Sequence, residues 1–272
     1  MKPISSLLLL MCVFLSNCSQ APVYDDPVPE HDTFKIESKQ VGETRTINIW
    51  TPPEYKSGND SLPVLYMPDG GIVEEDFPHI ANTLAELVKS KKIPPVILVG
   101  IQNTKRQRDL TGPTEVEKDK EIAAEVGKSA NFRAFIREEL IPEINKKYRT
   151  TARKGIIGES LAGLFVMETF LLQPADFDFY ISFDPSLWWN GHNYDKNVEK
   201  YLQNLPEKKT VIWFASSGEE GMSKAAHSIA NALEKVSSSK VMWKYSDEPK
   251  EKHNTIFRAT KEKAIIWAMN AK

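Results

Sequence analysis

Residues 154–163 read KGIIGESLAG, a short apolar strand that runs into a glycine-flanked serine turn and then into a helical pattern over residues 161–172. A strand-to-helix turn of this G-x-S-x-G type holds its serine, Ser160, in a strained conformation with the hydroxyl exposed at the carboxyl edge of a sheet. Ala162 replaces the last glycine of the usual motif, and Gly163 follows it. The alternative is an ordinary turn in which Ser160 only caps the helix.

Around this turn, apolar runs of strand type alternate with helical patterns. The predicted strands are 62–67, 96–101, 154–157, 178–183, 210–215 and 240–245, and the predicted helices are 78–91, 129–149, 161–172, 222–236 and 254–269. Such alternation implies right-handed crossovers and a mainly parallel, doubly wound α/β sheet. Residues 33–38 and 44–50, separated by Gly42, predict an N-terminal antiparallel edge.

If Ser160 is a nucleophile on this fold, an acid and then a histidine must follow it in the chain. The loop after strand 210–215 reads SSGEEG and offers Glu219 and Glu220, of which Glu220 is favoured because a glycine follows it and leaves room for the turn. His253 follows the next strand and precedes the last helix. We expect His253 to act as general base for Ser160 and the carboxylate to orient it, on an α/β-hydrolase fold.

Two backbone N–H groups are expected to stabilise an oxyanion. One belongs to Leu161, at the start of the helix that follows Ser160. The other belongs to Gly71, in the turn Pro68-Asp69-Gly70-Gly71 after the strand 62–67. A plain tight turn is the alternative for the Gly71 segment.

Basic and aromatic residues follow two other strands at the same edge. Arg106 and Arg108 would suit an anionic or oxygen-rich ligand, and Trp188 and Trp189 could stack on an aromatic acyl group. The alternatives are a salt-bridged loop, with Arg108 paired to Asp109 or a neighbouring acid, and a buried tryptophan.

The bulk composition describes one ordinary globular domain. The chain has 272 residues, of which 41% are hydrophobic and 26% are charged, with a formal net charge of −2. This length suits one α/β domain, predicted over residues 33–272. Nothing in the charge balance indicates nucleic-acid binding. The sequence makes no prediction of oligomeric state.

The N-terminus resembles a bacterial lipoprotein signal over residues 1–18. Lys2 precedes an apolar run too short to span a bilayer permanently, and the run ends at Cys18, the expected lipidation site. Asn17 departs from the pattern, and cleavage near Ala21 is the alternative. We expect an exported protein of the periplasm or cell envelope, held at the membrane only through this lipid anchor, with residues 19–32 as a Pro- and acid-rich tether.

Several stretches together resemble one family. They are LPVLYMPDGG (62–71), VGIQNTKRQRDLT (99–111), NFRAFIREELIPEINKKY (131–148), GIIGESLAGLF (155–165), YISFDPSLWWN (180–190), SSGEEGM (216–222) and HNTIFRA (253–259). In this order they are similar to the α/β-hydrolase esterases that include esterase D-like enzymes and the ferric enterobactin, salmochelin and bacillibactin esterases. The loop DPSLWWN looks like the siderophore-esterase branch.

The resemblance implies hydrolysis of ester or lactone bonds without metal or cofactor, through Ser160, His253 and an acidic partner. It also implies a small-molecule ester substrate, which in the siderophore branch is a catecholate trilactone. Asp184 departs from that branch, which more often has a small polar residue there, and this leaves the substrate open. The alternatives are a feruloyl or acetyl esterase acting on carbohydrate, and a binding lipoprotein that keeps the fold without turnover.

Overall fold

The computed structural model describes residues 26–73, 75–237 and 239–271. They form one sheet of eight strands in the order β1-β2-β4-β3-β5-β6-β7-β8. The strands are β1 (Asp32–Ser38), β2 (Glu43–Trp50), β3 (Leu62–Pro68), β4 (Ile97–Ile101), β5 (Thr150–Glu159), β6 (Phe179–Phe183), β7 (Thr210–Ser217) and β8 (Val241–Glu248). β1 and β2 pair antiparallel, β2 pairs antiparallel with β4, and all later neighbours are parallel. The predicted α/β-hydrolase fold with an antiparallel N-terminal edge is confirmed.

Helical segments connect the strands. They are α1 (Pro53–Ser57), α2 (Phe77–Lys89), α3 (Arg106–Leu110), α4 (Glu117–Lys120), α5 (Ser129–Phe135), a π-helical stretch (Ile136–Leu140), α6 (Ile141–Lys147), α7 (Leu161–Leu172), α8 (Trp189–Lys196), α9 (Val198–Leu202), α10 (Glu220–Leu233) and α11 (Ile256–Asn270). The short helices α1, α3, α4, α8 and α9 are too brief to give a periodic apolar pattern, and the sequence did not predict them.

The two faces of the sheet bury separate cores. One core contains Phe132, Phe165 and Ile229, from α5, α7 and α10. The other contains Leu84 and Ile265, from α2 and α11. Because strand side chains alternate between faces, Ile156 joins the first core and Ile157 the second. A sheet covered on both sides explains why its central strands are apolar throughout.

The helix predicted over residues 129–149 contains a π-helical interruption at Ile136–Leu140, directly before Pro142. Proline has no N–H and crowds the preceding turn, so a regular α-helix cannot pass through it unchanged. The distortion that Pro142 imposes on the helix therefore takes the form of a π-bulge.

The signal segment and Cys18 lie outside the described residues, and the tether stays a prediction. Its described part, residues 26–31, contacts the domain. Asp26 accepts hydrogen bonds from Arg258 in α11, and Asn82 in α2 donates to the Pro27 carbonyl at 2.7 Å. Within the described ranges, none of the helices has both the length and the apolarity needed to cross a bilayer.

Candidate active site

Ser160 lies between β5 and α7 in a strained backbone conformation, with φ 58° and ψ −119°. Positive φ is costly for a non-glycine residue and often marks a functional site. The turn is held by two backbone bonds: the Ser160 N–H donates to the Phe183 carbonyl at 3.0 Å, and the Ser186 N–H donates to the Ser160 carbonyl at 3.1 Å. Backbone groups of β6 and of the loop after it therefore hold Ser160 in place.

The glycines on either side of Ser160 are required by close approach. A Cβ on Gly158 would lie 2.6 Å from backbone atoms of Ala162, and one on Gly163 would lie 2.7 Å from the Phe183 carbonyl oxygen. Ala162 itself is completely buried without such a conflict. The alanine in place of the last motif glycine is therefore compatible with the turn.

His253 reaches Ser160 across the carboxyl edge of the sheet. Its Nε2 lies 3.0 Å from Ser160 Oγ, and its Nδ1 lies 2.7 Å from Asp184 Oδ2. The hydrogen bond to Asp184 raises the pKa of the imidazole above its usual value, against the lowering effect of burial. The structure brings together the serine and histidine that the sequence singled out.

The acid beside His253 is Asp184, and the expectation that Glu220 orients the imidazole is corrected. Asp184 is completely buried at the end of β6, whereas Glu219 and Glu220 are exposed at the start of α10. Asp184 still follows Ser160 and precedes His253, so the chain order is as expected. Asp184 directly follows the buried strand YISF, and a carboxylate at this strand end is a sequence signal for the acid. The resemblance to the siderophore branch, which more often has a small polar residue there, favoured a substrate-related explanation of Asp184 instead.

The SSGEEG loop supports Asp184 with donors. Ser217 donates to Asp184 twice, from its N–H at 2.7 Å and from its hydroxyl at 2.8 Å. Glu219 accepts the His253 backbone N–H at 3.1 Å. The loop after β7 therefore holds Asp184 and the loop that carries His253 in place, although Asp184 itself follows β6.

The two expected oxyanion donors differ in their surroundings. Leu161 is the first residue of α7, so its N–H has no carbonyl partner within the helix. The Gly71 N–H donates to the Glu75 carboxylate at 2.6 Å, and the Asn103 N–H donates to the same group at 3.2 Å. An oxyanion can use the Gly71 donor only if Glu75 moves away.

The arginines expected to meet substrate are engaged by carboxylates. Arg106 makes a bidentate pair with Asp69, at 2.8 and 2.7 Å. Arg108 is only 6% exposed and donates to Asp109 and Glu43. The expectation of ligand contact is therefore corrected for Arg108, which forms the salt-bridged loop that was the alternative.

The two tryptophans also separate. Trp189 is completely buried, with its indole N–H donating to the Gly112 carbonyl at 2.8 Å, so the expected substrate contact is corrected to a core role. Trp188 is partly exposed and packs edge-on against Trp189, with ring centroids 6.0 Å apart. Of the pair, only Trp188 offers a face to a ligand.

Partly buried carboxyl groups beside Ser160 and Gly71 have raised pKa values. Burial raises the pKa of Glu159 to about 8 and that of Asp76 to about 6. Burial also raises the pKa of Glu75, against the hydrogen bonds from Gly71 and Asn103. Among the residues that the structure describes, no group of three or more His, Cys, Asp and Glu side chains is arranged to hold a metal ion.

At the carboxyl edge of this sheet, a serine hydroxyl is hydrogen-bonded to a histidine, and a buried aspartate is hydrogen-bonded to the other ring nitrogen. This is the arrangement found in serine hydrolases with the α/β-hydrolase fold. The model of the family described as "Putative esterase" matches residues 38–269. The chain belongs to this family.

Several known proteins are similar to this chain. Ferri-bacillibactin esterase BesA of Bacillus subtilis is 32% identical over 162 residues, which cover 54% of this chain and 56% of that protein. Apo-salmochelin esterase of Escherichia coli O6:H1 is 27% identical over 251 residues, 83% of this chain and 76% of the relative. The solved structure of an IroE-like serine hydrolase from Shewanella oneidensis is 26% identical with a TM-score of 0.79, and the match covers 88% of this chain and 79% of that one.

Proposed function

We propose that this chain hydrolyses carboxylic esters through an acyl-enzyme on Ser160, with His253 as general base and Asp184 as the acid that orients it. The observation that carries the proposal is the pair of contacts made by the His253 ring, 3.0 Å to Ser160 Oγ and 2.7 Å to Asp184. Both distances are within the hydrogen-bonding reach that proton transfer requires.

In the acylation step, Ser160 Oγ attacks the ester carbonyl carbon while its proton passes to His253 Nε2. Asp184, bonded to Nδ1, holds the ring in the required tautomer and stabilises the imidazolium. When the tetrahedral intermediate collapses, the carbon–oxygen bond to the alcohol breaks, and His253 returns the proton to the leaving oxygen. The acyl group remains on Ser160.

The negative charge of the tetrahedral intermediate falls on the former carbonyl oxygen. The Leu161 N–H, at the positive end of α7, is the donor available to it. The Gly71 N–H becomes a second donor when the Glu75 carboxylate withdraws from it. In the deacylation step His253 takes a proton from water as the water oxygen attacks the acyl carbon. The bond between that carbon and Ser160 Oγ then breaks, His253 returns the proton to Oγ, and the acid product leaves.

For the substrate we propose a siderophore-type ester, a catecholate lactone or a related compound. The support is the family, the names of the Bacillus and Escherichia relatives, and the segment DPSLWWN. Trp188 is the exposed aromatic of that segment and suits an aryl acyl group.

The test compares wild type with Ser160→Ala on p-nitrophenyl butyrate, on catecholate trilactones and on feruloyl and acetyl esters. We expect the variant to keep its fold by circular dichroism and to lose at least about 1,000-fold in kcat. Fluorophosphonate should label the wild type at Ser160. Equal turnover by the folded variant would exclude the acyl-enzyme, and a preference for feruloyl or acetyl esters would exclude the siderophore assignment.

We also propose export and attachment to the membrane through a lipidated Cys18, on the strength of the signal-like residues 1–18. Two acyl chains on one cysteine suffice for stable attachment. The test is membrane fractionation of the wild type and Cys18→Ala. The variant should move to the soluble fraction, and an unchanged distribution would contradict the anchor.

A further inference from the structure

The turn after β3 ends beside the nucleophile. β3 and β5 are parallel neighbours in which Tyr66 pairs with Ile156, and the same register carried to the strand ends brings Gly70 level with Ser160. Neighbouring strands lie about 4.8 Å apart. The peptide unit that joins Gly70 to Gly71 therefore lies at the edge of the sheet where an ester bound at Ser160 presents its carbonyl group.

The orientation of this peptide unit is fixed by β2 and β4. The Gly70 N–H donates to the Ile101 carbonyl at 3.0 Å, and the Gly70 carbonyl accepts from the side-chain amide of Asn48 at 2.9 Å. Asn48 is only 1% exposed. In a trans peptide the carbonyl and the N–H point in opposite directions, so the bond from Asn48 also sets the direction of the Gly71 N–H.

The Glu75 carboxylate occupies the acceptor position of that N–H. Its Oε2 lies 2.6 Å from the Gly71 nitrogen and 3.4 Å from the Asn103 nitrogen, and its Oε1 lies 3.2 Å from the Asn103 nitrogen. A Cβ placed on Gly71 would lie 2.7 Å from the carboxylate carbon, so the group packs directly against the backbone. An oxyanion that accepts from the Gly71 N–H takes the same position.

The turn does not depend on Glu75 for its conformation. Arg106 holds Asp69 bidentately at 2.8 and 2.7 Å, and the Asp76 N–H donates to the Asp69 carbonyl at 3.1 Å. These contacts fix the residue before Gly70, and the bonds from β2 and β4 fix Gly70 itself. The Glu75 side chain can therefore leave the Gly71 N–H while the N–H keeps its direction.

We propose that Glu75 is a built-in competitor for the oxyanion site: its carboxylate holds the Gly71 N–H in the resting enzyme and must be displaced in each catalytic cycle. The inference rests on the proposed ester hydrolysis and adds a residue that limits its rate. A charged acceptor binds an N–H about twice as strongly as a neutral one. The neutral carbonyl of a bound ester therefore cannot displace Glu75, whereas the oxyanion, which is itself charged, can.

The same competition acts on the product. The acid released by ester hydrolysis is a carboxylate, which suits the oxyanion donors as Glu75 does. Glu75 is attached to the turn and acts at a high effective concentration, so it opposes binding of the product from solution. Glu75 therefore slows acylation and at the same time protects the site from its own acid product.

The experiment compares Glu75→Gln and Glu75→Ala with wild type on p-nitrophenyl butyrate at pH 8, with Ser160→Ala as the background rate. Glu75→Gln keeps an oxygen that can accept from Gly71 but removes the charge, and Glu75→Ala removes the acceptor. We expect kcat/KM of Glu75→Gln to be roughly tenfold above wild type, and that of Glu75→Ala to be at least as high. A side chain that only supported the turn would leave Glu75→Gln near wild type and make Glu75→Ala slower.

Inhibition by added butyrate provides a second measurement, made at constant ionic strength. The inhibition constant of butyrate should be roughly tenfold lower for Glu75→Gln than for wild type, because the uncharged amide competes less well with the product carboxylate. A change in the support of the turn would weaken binding of butyrate rather than strengthen it.

Glu139→Gln is the matched control. Glu139 also accepts two backbone N–H groups, from Lys39 at 2.9 Å and from Gln40 at 3.3 Å. It lies beside β1, with β2, β4 and β3 between that strand and β5. Removal of its charge should leave both kcat/KM and the inhibition constant within about twofold of wild type.

Faster turnover by both Glu75 variants, with tighter inhibition of Glu75→Gln by butyrate, would support the competition. A Glu75→Gln rate no higher than wild type, a Glu75→Ala rate below wild type, or an inhibition constant that does not fall would overturn it and leave ester hydrolysis intact. Failure of the wild type to hydrolyse the ester faster than Ser160→Ala would overturn the proposed function as well.

Discussion

Asp184 Oδ2 lies 2.7 Å from His253 Nδ1, and the aspartate is completely buried. Three further hydrogen bonds hold Asp184 in place: the Ser217 N–H and hydroxyl both donate to its carboxylate, and the Asp184 N–H donates to the Ala215 carbonyl at 2.9 Å. These hydrogen bonds fix the orientation of the carboxylate. Asp184 is thus tied to β7 as well as to β6.

Asp184→Asn should reduce kcat about 10,000-fold, because an amide that donates to Nδ1 would stabilise the wrong imidazole tautomer. The measurement is steady-state hydrolysis of p-nitrophenyl butyrate. Glu220→Gln is the matched control, since Glu220 was the acid expected from the sequence, and it should stay within about twofold of wild type. If the effects were reversed, with Glu220→Gln inactive and Asp184→Asn active, the acid would lie in the loop after β7.

The pH dependence of kcat/KM should show an acidic limb above the ordinary histidine pKa of about 6.5. The base form of His253 is the neutral imidazole, and the hydrogen bond to Asp184 raises the pKa at which that form is lost. Activity should therefore fall as pH drops through this raised value.

The residual activity of Asp184→Asn should show its acidic limb at lower pH than wild type, because the largest cause of the raised pKa is gone. Both profiles are measured with p-nitrophenyl butyrate between pH 5 and 9. Identical limbs in the two proteins would show that Asp184 does not set the pKa of the catalytic base.

The fold was predictable because strand and helix signals were long and locally consistent. Six apolar runs matched the parallel strands β3 to β8, and the antiparallel edge was read from two short alternating segments. The short helices were missed because their few residues give no period. Their conformations depend on contacts such as Asp119 with the Asn190 N–H, which join residues distant in sequence.

The site was predictable only where a local pattern signals the chemistry. Ser160 lies in a motif whose glycines are required by close contacts within the turn and with β6, and His253 was the histidine at the right place in the chain order. The sequence offered Glu219 and Glu220 as the acid and missed Asp184, because the answer depends on which strand end lies beside His253. That is decided by the tertiary arrangement of β6, β7 and the histidine loop, which local sequence does not encode.

The tryptophan pair should separate binding from stability. Trp188→Ala removes a partly exposed ring and should raise KM for an aromatic ester such as p-nitrophenyl benzoate several-fold more than for p-nitrophenyl acetate. Trp189→Ala removes a buried side chain and its hydrogen bond to Gly112, and should cost about 3–5 kcal/mol in the free energy of unfolding. Urea denaturation followed by circular dichroism measures the second effect. A larger loss of stability for Trp188→Ala than for Trp189→Ala would contradict their assigned places.

Glu159 should make the protein less stable as pH rises. Burial raises its pKa to about 8 in the folded chain, whereas an unfolded glutamate ionises near its ordinary value of about 4.5. Between these two values the folded state binds a proton that the unfolded state has released, so the contribution of this group to stability falls with increasing pH. Glu159→Gln has no such proton, and its free energy of unfolding should exceed that of the wild type by an amount that grows by about 4 kcal/mol from pH 5 to pH 9.

Urea denaturation at a series of pH values measures that difference, in which groups common to both proteins cancel. The control is Glu220→Gln, whose exposed side chain should give a curve parallel to wild type. Parallel curves for Glu159→Gln as well would mean that Glu159 is already ionised in the folded protein at neutral pH. A full negative charge would then lie next to Ser160.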